Sequence, residues 1–449
     1  MLVPRRFLLC LCVLVLVGVP AWTAQEKELT PEQIAQNRAS FKVVWETIRD
    51  KHWDPQPGGL NWDDIRAEFE PKVEKAKTQR EFRQILGAML DRLDQSHFGI
   101  VPAEVYDVID VPDEAKEPKD SKEPKSRRRR GGQGQSGLDL RVVDSEALVT
   151  RVDEGSPAAK AGIKTGWVLE AVDGTEVAPV IRKIMDLETV VHHREFTLMR
   201  SLMQRLSGDV GDTLKLRFRD GSDQPQEVEL QLGEPRGTMA IFGNLPPMLV
   251  RCDVKTLSDR IGYVHLSSFF DPPRVMPVIA QAVRDHHDAT GFILDLRGNP
   301  GGIGFMAVGV GGWFVKERNL RLGHMVTRDS RLNFVLNPQP QPFLGPLAVL
   351  VDGASASTSE ILAGGLQDLK RARVFGTRTM GAALPSMFVR LPNGDGFQYA
   401  FANYISAGGK PLEVHGVQPD EEVRPDRKAL LEGRDQVVDA AIEWIKAQK

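Results

Sequence analysis

Cysteine is nearly absent: the chain of 449 residues carries three, and Cys10 and Cys12 lie inside an apolar run near the amino terminus. With that run removed only Cys252 remains, so no internal disulfide can staple the mature fold, and cysteine use says little about redox compartment. A surplus of either charge is also missing. Lysine plus arginine number 58 against 61 aspartate plus glutamate, a formal net charge of −3, which gives no overall pull towards nucleic acid or an anionic membrane. The apolar run itself, Phe7 to Val19, follows Arg5 and Arg6 and precedes Pro20-Ala21-Trp22-Thr23-Ala24. It is too short for a comfortable membrane span and reads as a secretory signal peptide, residues 1–24, cut after Ala21 or Ala24. An uncleaved anchor is the alternative, and would be the chain's membrane contact. Neither Cys10 nor Cys12 has the small-residue context of a lipid anchor. The expectation is an exported protein, periplasmic or extracellular.

What is present is enough apolar material for a large core. Hydrophobic residues make up 41% of the sequence, and its length predicts two to four domains. Thr30-Pro31-Glu32-Gln33 has a capping threonine, proline at the first helical position and glutamine three residues after the cap, which starts a helix whose Phe41, Val44, Trp45 and Ile48 share a face. A second helix is expected around Asp63 to Phe69. A third begins at Thr78, with Glu81 completing a capping box, and carries the stripe Phe82, Ile85, Leu86, Met89, Leu90 and Leu93. A helical domain, 27–111, follows from these. Residues 112–135 mix Asp, Glu, Lys, Pro and Gly with the run Arg127 to Arg130 and hold almost no large apolar side chain, the composition of a disordered linker.

Beyond the linker, Ala147 to Val152 reads as a strand, Val180 to Leu206 as a long helix, and 213–218 and 227–232 as two alternating strands around Gly221. His192 and His193 are adjacent on that helix and so do not share a face; they read as surface residues, not metal ligands. From about Gly237, strand (261–266), helix (275–288) and strand (292–296) alternate, which argues for a layered sheet. An amphipathic helix, 437–445, closes the chain.

Two stretches carry chemistry. Leu347 to Val351 is strand-like and runs through Asp352-Gly353-Ala354-Ser355-Ala356-Ser357-Thr358-Ser359 into the helix start Glu360-Ile361-Leu362. A buried strand that turns through small residues into a helix presents a side chain at the corner beside unpaired backbone N–H groups, which suits a nucleophilic serine. Helix capping accounts for the same Ser and Thr residues, and the residues alone leave both readings open. The second stretch, Gly291 to Gly302, reads as a buried strand followed by the glycine-rich turn Arg297-Gly298-Asn299-Pro300-Gly301-Gly302.

Together these stretches resemble the core of the carboxy-terminal processing proteases and their tricorn-like relatives, peptidase family S41, over about Thr30 to Val423. Ser136 to Leu140, with Gly155 to Ile163 and Gly166 to Leu169, resembles a PDZ domain, in which backbone at Leu138, Asp139 and Leu140 would hold a peptide's terminal carboxylate. The resemblance implies a multidomain α/β protein. Its parts would be an N-terminal helical domain, a PDZ-like β-rich domain at 136–235, and an α/β layered core of the ClpP/crotonase type at 236–449. In the processing proteases a lysine activates the serine, but in Gly376 to Ala383 that position is Ala382, and alanine cannot accept a proton.

The tricorn-like pattern supplies a histidine instead, and Asp94-Gln95-Ser96-His97-Phe98-Gly99 offers one. The resemblance assigns Ser357 as nucleophile, His97 as base and later acid, and Ser96 and Glu413 as their support, Glu413 standing before His415-Gly416-Val417-Gln418-Pro419-Asp420. Ser357 is taken over Ser355 and Ser359 because the family nucleophile lies two residues before a Ser-Glu pair. Gly301, Gly302 and Thr358 are the expected oxyanion donors. The implied function is an exported serine endopeptidase acting on peptides or unfolded proteins through an acyl-enzyme, with no metal and no cofactor. The alternative is a non-catalytic scaffold binding peptide carboxyl termini or an apolar ligand. Oligomeric state is not legible.

Overall fold

The computed structural model describes residues 27–106, 133–186, 193–245 and 247–448. The expected signal peptide, most of the expected linker and His192 lie outside the described residues.

Thr30 caps the first helix, Pro31–Lys51, through the reciprocal bonds its sequence predicts: the Gln33 N–H donates to Thr30 Oγ1 at 3.2 Å and the Thr30 N–H to Gln33 Oε1 at 2.9 Å. Trp62–Val73 and Gln79–Leu90 follow. Thr78 caps the latter, but Glu81 takes the N–H of Lys77 at 2.7 Å, so that capping box is only half formed. The apolar stripes of the three helices do not close a core by themselves. Phe41, Trp45, Phe82, Leu86 and Met89 pack with Leu384, Leu391, Phe397 and Tyr399, which lie some 300 residues later in the chain. The short strand Gly99–Val101 likewise pairs antiparallel with Gly396–Ala400, whose other neighbour is Ser386–Arg390.

Asp395, fully buried in the turn of that ribbon, accepts from Arg83 Nη2 at 2.7 Å, from Gln79 Nε2 at 3.2 Å and from the Ala103 N–H at 2.9 Å. Removing the aspartate leaves Arg83 only the exposed Glu104, and Gln79 and the Ala103 N–H lose their acceptor. Asp395→Ala is therefore expected to lower unfolding free energy by about 3 kcal/mol, read by urea or thermal melting.

Residues 138–231 form a second unit with its own core. Its strands run Leu138–Val143, Glu146–Val152, Val168–Val172, Thr213–Arg219 and Pro225–Gln231 in that sheet order. Leu140, Val149, Leu216 and Phe218 are among its buried residues. The single helix expected over 180–206 is instead two, Ala178–Met185 and Arg194–Arg205, with 187–192 outside the described residues.

The third unit is built on a six-stranded sheet in the order Cys252–Leu257, Ile261–Leu266, Gly291–Asp295, Leu347–Val351, Arg373–Gly376, Glu421–Glu422. The first pair is antiparallel and the others are parallel. Its central strands are buried on both faces, as parallel strands are. Alternate residues serve opposite sides. Val264, Leu294 and Val349 pack towards the helices Pro272–Asp285, Phe305–Gly311 and Thr358–Asp368, while Ile293, Ala348 and Leu350 pack towards Gln436–Lys446. Gly291–Asp295 and Leu347–Val351 are neighbours in register, Asp295 beside Leu350, so the turns after them emerge side by side at the carboxyl edge of the sheet. Among the described residues no helix is long and apolar enough to cross a membrane.

Candidate active site

At the end of Leu347–Val351 the chain is gathered by Asp352, whose Oδ1 accepts the N–H groups of Gly298 at 2.8 Å and Ala354 at 3.0 Å. Three serines follow, and their environments differ. Ser355 is fully buried and donates to the Leu296 carbonyl at 2.8 Å; Ser359, equally buried, donates to the Asn299 carbonyl at 2.9 Å. Ser357 alone is partly exposed and ties its hydroxyl to no carbonyl. It sits at the N-cap of Thr358–Asp368 with φ 55 and ψ −116, a conformation that a non-glycine residue keeps only when its surroundings impose it.

Glu360 imposes it. This fully buried carboxylate takes the Ser357 N–H at 2.9 Å, Thr379 Oγ1 at 2.6 Å, and the N–H groups of Gly381 at 2.7 Å and Ala382 at 3.0 Å. Burial pushes its carboxyl up to about 7, and these donors pull the other way. The sequence reading used Glu360 only as a positional marker. The signal it passed over was an acidic side chain in the first turn of a helix that is otherwise small and apolar.

Gly301, at φ 95, lies against the corner: a Cβ there would stand 2.7 Å from Ser357 Cβ and 2.9 Å from the Thr358 nitrogen. Only glycine permits that approach. Its own N–H, however, donates to Asn299 Oδ1 at 2.8 Å, so Gly301 shapes the turn rather than offering a donor, a correction to its expected role. The amides of Gly302 and Thr358 have no acceptor among the described residues, and Thr358 Oγ1 ties the two turns together by donating to the Gly302 carbonyl at 2.9 Å.

The histidine arrives from the other side. Ser96 and His97 are both buried in the loop after Leu93, His97 with φ 62. Ser96 Oγ lies 2.6 Å from His97 Nδ1 and donates to Glu413 Oε2 at 2.9 Å, while the Ser96 N–H donates to Glu413 Oε1 at 2.8 Å. Because that hydroxyl gives its single proton to the carboxylate, it accepts from Nδ1–H, which leaves Nε2 with the free lone pair. Burial, with a smaller contribution from the nearby His193, lowers the ring's pKa to about 3 and keeps it neutral. Burial also raises the pKa of Glu413, against the bonds it receives from Ser96 and from the Ala383 N–H at 3.0 Å. His193, read from sequence as surface, is half-buried and close enough for its charge to be felt at His97. His415 is exposed, and its ring rests on the Glu413 carbonyl at 2.9 Å.

The dipeptide Ala382-Ala383 joins the two halves. The Ala382 carbonyl accepts the Ser357 N–H at 2.8 Å, and the next residue's N–H binds Glu413. No hydrogen bond connects Ser357 to His97 themselves. The Ala382 side chain forms a buried wall with Ala354, Ala356, Met380 and Phe196. Phe196 belongs to Arg194–Arg205, which the second unit lays across the serine corner. Beside it, a Cβ on Gly353 would collide with the Glu195 carboxylate, whose pKa burial and the adjacent Asp352 push up to about 7. Arg141 clamps the contact by donating to Asp352 Oδ2 at 2.8 Å.

In the second unit, Leu138 and Leu140 are buried in the core and the Leu138 N–H turns to Ser136 Oγ at 3.3 Å. Burial would raise the Asp139 carboxyl, but Arg141 at 2.7 Å and Arg151 at 3.5 Å hold it well below the usual range. These three side chains are thus committed internally. Among the described residues no group of three or more His, Cys, Asp and Glu side chains could hold a metal ion.

Residues 260–423 match the family model for Peptidase family S41, and residues 35–91 that for the Tricorn protease C1 domain. The chain is 26% identical over 434 residues to a carboxyl-terminal-processing protease of Picosynechococcus sp., covering 93% of this chain and 90% of that one. It is 24% identical to the chloroplastic C-terminal processing peptidase of Tetradesmus obliquus, over 89% and 80% of the two chains. A putative tricorn protease homolog 2 of Streptomyces coelicolor matches at 27% identity over 91% of this chain and 32% of its own length. Among solved structures, a photosystem II D1 C-terminal processing protease superposes with a TM-score of 0.52 at 20% identity, over 91% of this chain and 99% of that one. Mature CPAF superposes with a TM-score of 0.58 at 13% identity, over 92% and 97%. At those identities the likeness is one of fold.

Proposed function

This chain belongs to peptidase family S41, a family of serine proteases, and from that premise we propose that it is an exported endopeptidase or carboxy-terminal processing protease working through Ser357, His97, Ser96 and Glu413. The observation that carries the reading is the unbroken hydrogen-bonded run from His97 Nδ1 through Ser96 Oγ to Glu413. A serine hydroxyl needs a base to become a nucleophile, and a base needs a partner that orients it and favours its charged form.

In the proposed cycle, His97 Nε2 takes the Ser357 proton as Oγ attacks the scissile carbonyl. The amides of Gly302 and Thr358 receive the charge that develops on the carbonyl oxygen. The imidazolium, steadied by Ser96 and Glu413, returns its proton to the leaving amine. Water then repeats the sequence on the ester, freeing the new carboxyl end and restoring the serine. No metal or cofactor takes part in these steps, and the substrate is a peptide or unfolded protein.

The unit at 136–235 is read as a PDZ domain. Helix Arg194–Arg205 lies over the serine corner through Phe196, and the proposed cycle requires Ser357 and His97 to come within hydrogen-bonding distance. The names of the relatives favour processing near carboxyl termini, and the apolar leader at 1–24 favours export to the periplasm or beyond. One feature favours the second reading, a non-catalytic scaffold: where the resemblance puts the family lysine this chain has Ala382, a buried residue.

Labelling of the full chain by a fluorophosphonate separates the two. The expected result is stoichiometric label on Ser357, lost in Ser357→Ala and slowed at least 100-fold in His97→Ala. Absence of label defeats the catalytic reading, and labelling indifferent to His97 defeats the tetrad.

A further inference from the structure

The pair Ser96-His97 is held from a side that the tetrad leaves out. His52 is the C-cap of Pro31–Lys51 and is fully buried. Its Nε2 lies 2.9 Å from Gln95 Oε1, its Nδ1 lies 3.0 Å from the Asp54 nitrogen, and its ring stacks on Phe98 with centroids 5.6 Å apart and planes 15° from parallel. Gln95 and Phe98 are the residues immediately before and after Ser96-His97. A single imidazole therefore grips the chain on both sides of the base.

That grip falls where the backbone is least able to hold itself. Asp94 has φ 52 and His97 φ 62, left-handed conformations that cost non-glycine residues energy and persist only under external constraint. With the Gln95 oxygen facing it, His52 Nε2 carries the proton and donates to Gln95; Nδ1, 3.0 Å from both the nitrogen and the carbonyl oxygen of Asp54, then accepts from the Asp54 N–H. Burial lowers the His52 pKa and keeps the ring neutral. The histidine is itself anchored. Arg328 donates to the His52 carbonyl at 3.2 Å and to the Arg49 carbonyl at 2.8 Å, filling positions that a helix end leaves open.

We propose that His52 is a positioning residue for the general base, acting through Gln95 and Phe98 to hold the His97 ring where it can take the Ser357 proton. The proposal rests on the tetrad reading. His52 touches no reacting atom, so its loss falls on kcat and on the rate at which Ser357 is activated, and leaves substrate binding alone.

The test uses the full chain, a fluorophosphonate at Ser357 and a cleavable peptide. His52→Leu is expected to slow labelling and lower kcat roughly 10- to 100-fold, the cost of a base displaced by about 1 Å, with KM changed less than about twofold. His52→Gln, which keeps an N–H directed at Gln95, recovers part of the loss. Gln95→Ala loses a similar factor, and the His52→Leu/Gln95→Ala double variant is no slower than the slower single, because one contact is broken only once. The proposal is overturned by a wild-type labelling rate in His52→Leu, by losses that multiply in the double variant, or by a loss that His52→Gln leaves unrelieved. A wild-type chain that takes no label at Ser357 overturns the tetrad and this inference together, whereas a labelled wild type with an unaffected His52→Leu overturns the inference alone.

Discussion

His97→Ala is expected to lower kcat by about 10⁴- to 10⁶-fold with little change in KM, the scale seen when the base of a catalytic serine unit is deleted. The loss is large because the groups bonded to the Ser357 corner cannot replace the ring: Ala382 has no basic side chain, and Glu360 is occupied by donors from Ser357, Thr379, Gly381 and Ala382. A double variant of His97 with Ser96 should lose little more than His97→Ala alone, since in the proposed tetrad Ser96 acts through the ring.

The same ring fixes the pH dependence. With its folded pKa lowered to about 3, His97 stays neutral across the range in which an ordinary histidine titrates, so the acid limb of kcat/KM should lie well below pH 6.5. Between about pH 3 and 6.5 the unfolded chain binds a proton at this position that the folded chain refuses. Stability contributed by the neutral ring is therefore complete above about pH 6.5 and is lost as pH falls through that window. Urea melts at pH 5 and 7 should show a smaller acid-induced loss in His97→Ala than in the wild type. A pH–rate profile with its acid limb at 6.5, or equal losses in the two proteins, would contradict the buried neutral base.

Ala382→Lys, which puts a lysine where the resemblance would place one, is expected to damage the enzyme instead of repairing it. The Ala382 side chain is fully buried against Phe196, Ala354, Ala356 and Met380. Four methylenes forced into such a wall cost about 1–3 kcal/mol in strain. The carboxylates bonded to the neighbouring backbone, Glu360 and Glu413, are already committed to other donors. The expected outcome is a lowered melting temperature, peptidase activity down by at least about 100-fold, and no rescue of His97→Ala. Recovery of activity in the Ala382→Lys/His97→Ala pair would mean that this site still runs a lysine mechanism, and the tetrad would have to be given up.

The serine corner was largely legible because its signals are local. Leu347–Val351 is an unbroken buried strand and the small residues after it announce a tight turn, so placing a functional side chain there needed no tertiary knowledge. Choosing among Ser355, Ser357 and Ser359 did need it, since what separates them is which carbonyls lie above the first and third. Ser96, His97 and Glu413 were found by resemblance alone: no periodicity links residues separated by 317 positions, the span of the Ser96 to Glu413 bond. Gly301 was misjudged because a glycine in a turn can serve through its missing side chain or through its N–H, and sequence does not say which. His193 was misjudged because adjacency on a helix fixes direction, not what another unit places opposite. The helical module was expected to close its own core, and its stripes are indeed apolar, but nothing in them shows that Leu384, Leu391 and Phe397 would fill the remainder.

That shared packing gives the enzyme a clock. During synthesis His97 emerges first, but its module lacks part of its interior until residues 384–400 follow, and the carboxylate of Glu413 comes later still. The bonds from Ser96 to Glu413 therefore close late, when the ribbon folds back and completes the beginning of the molecule.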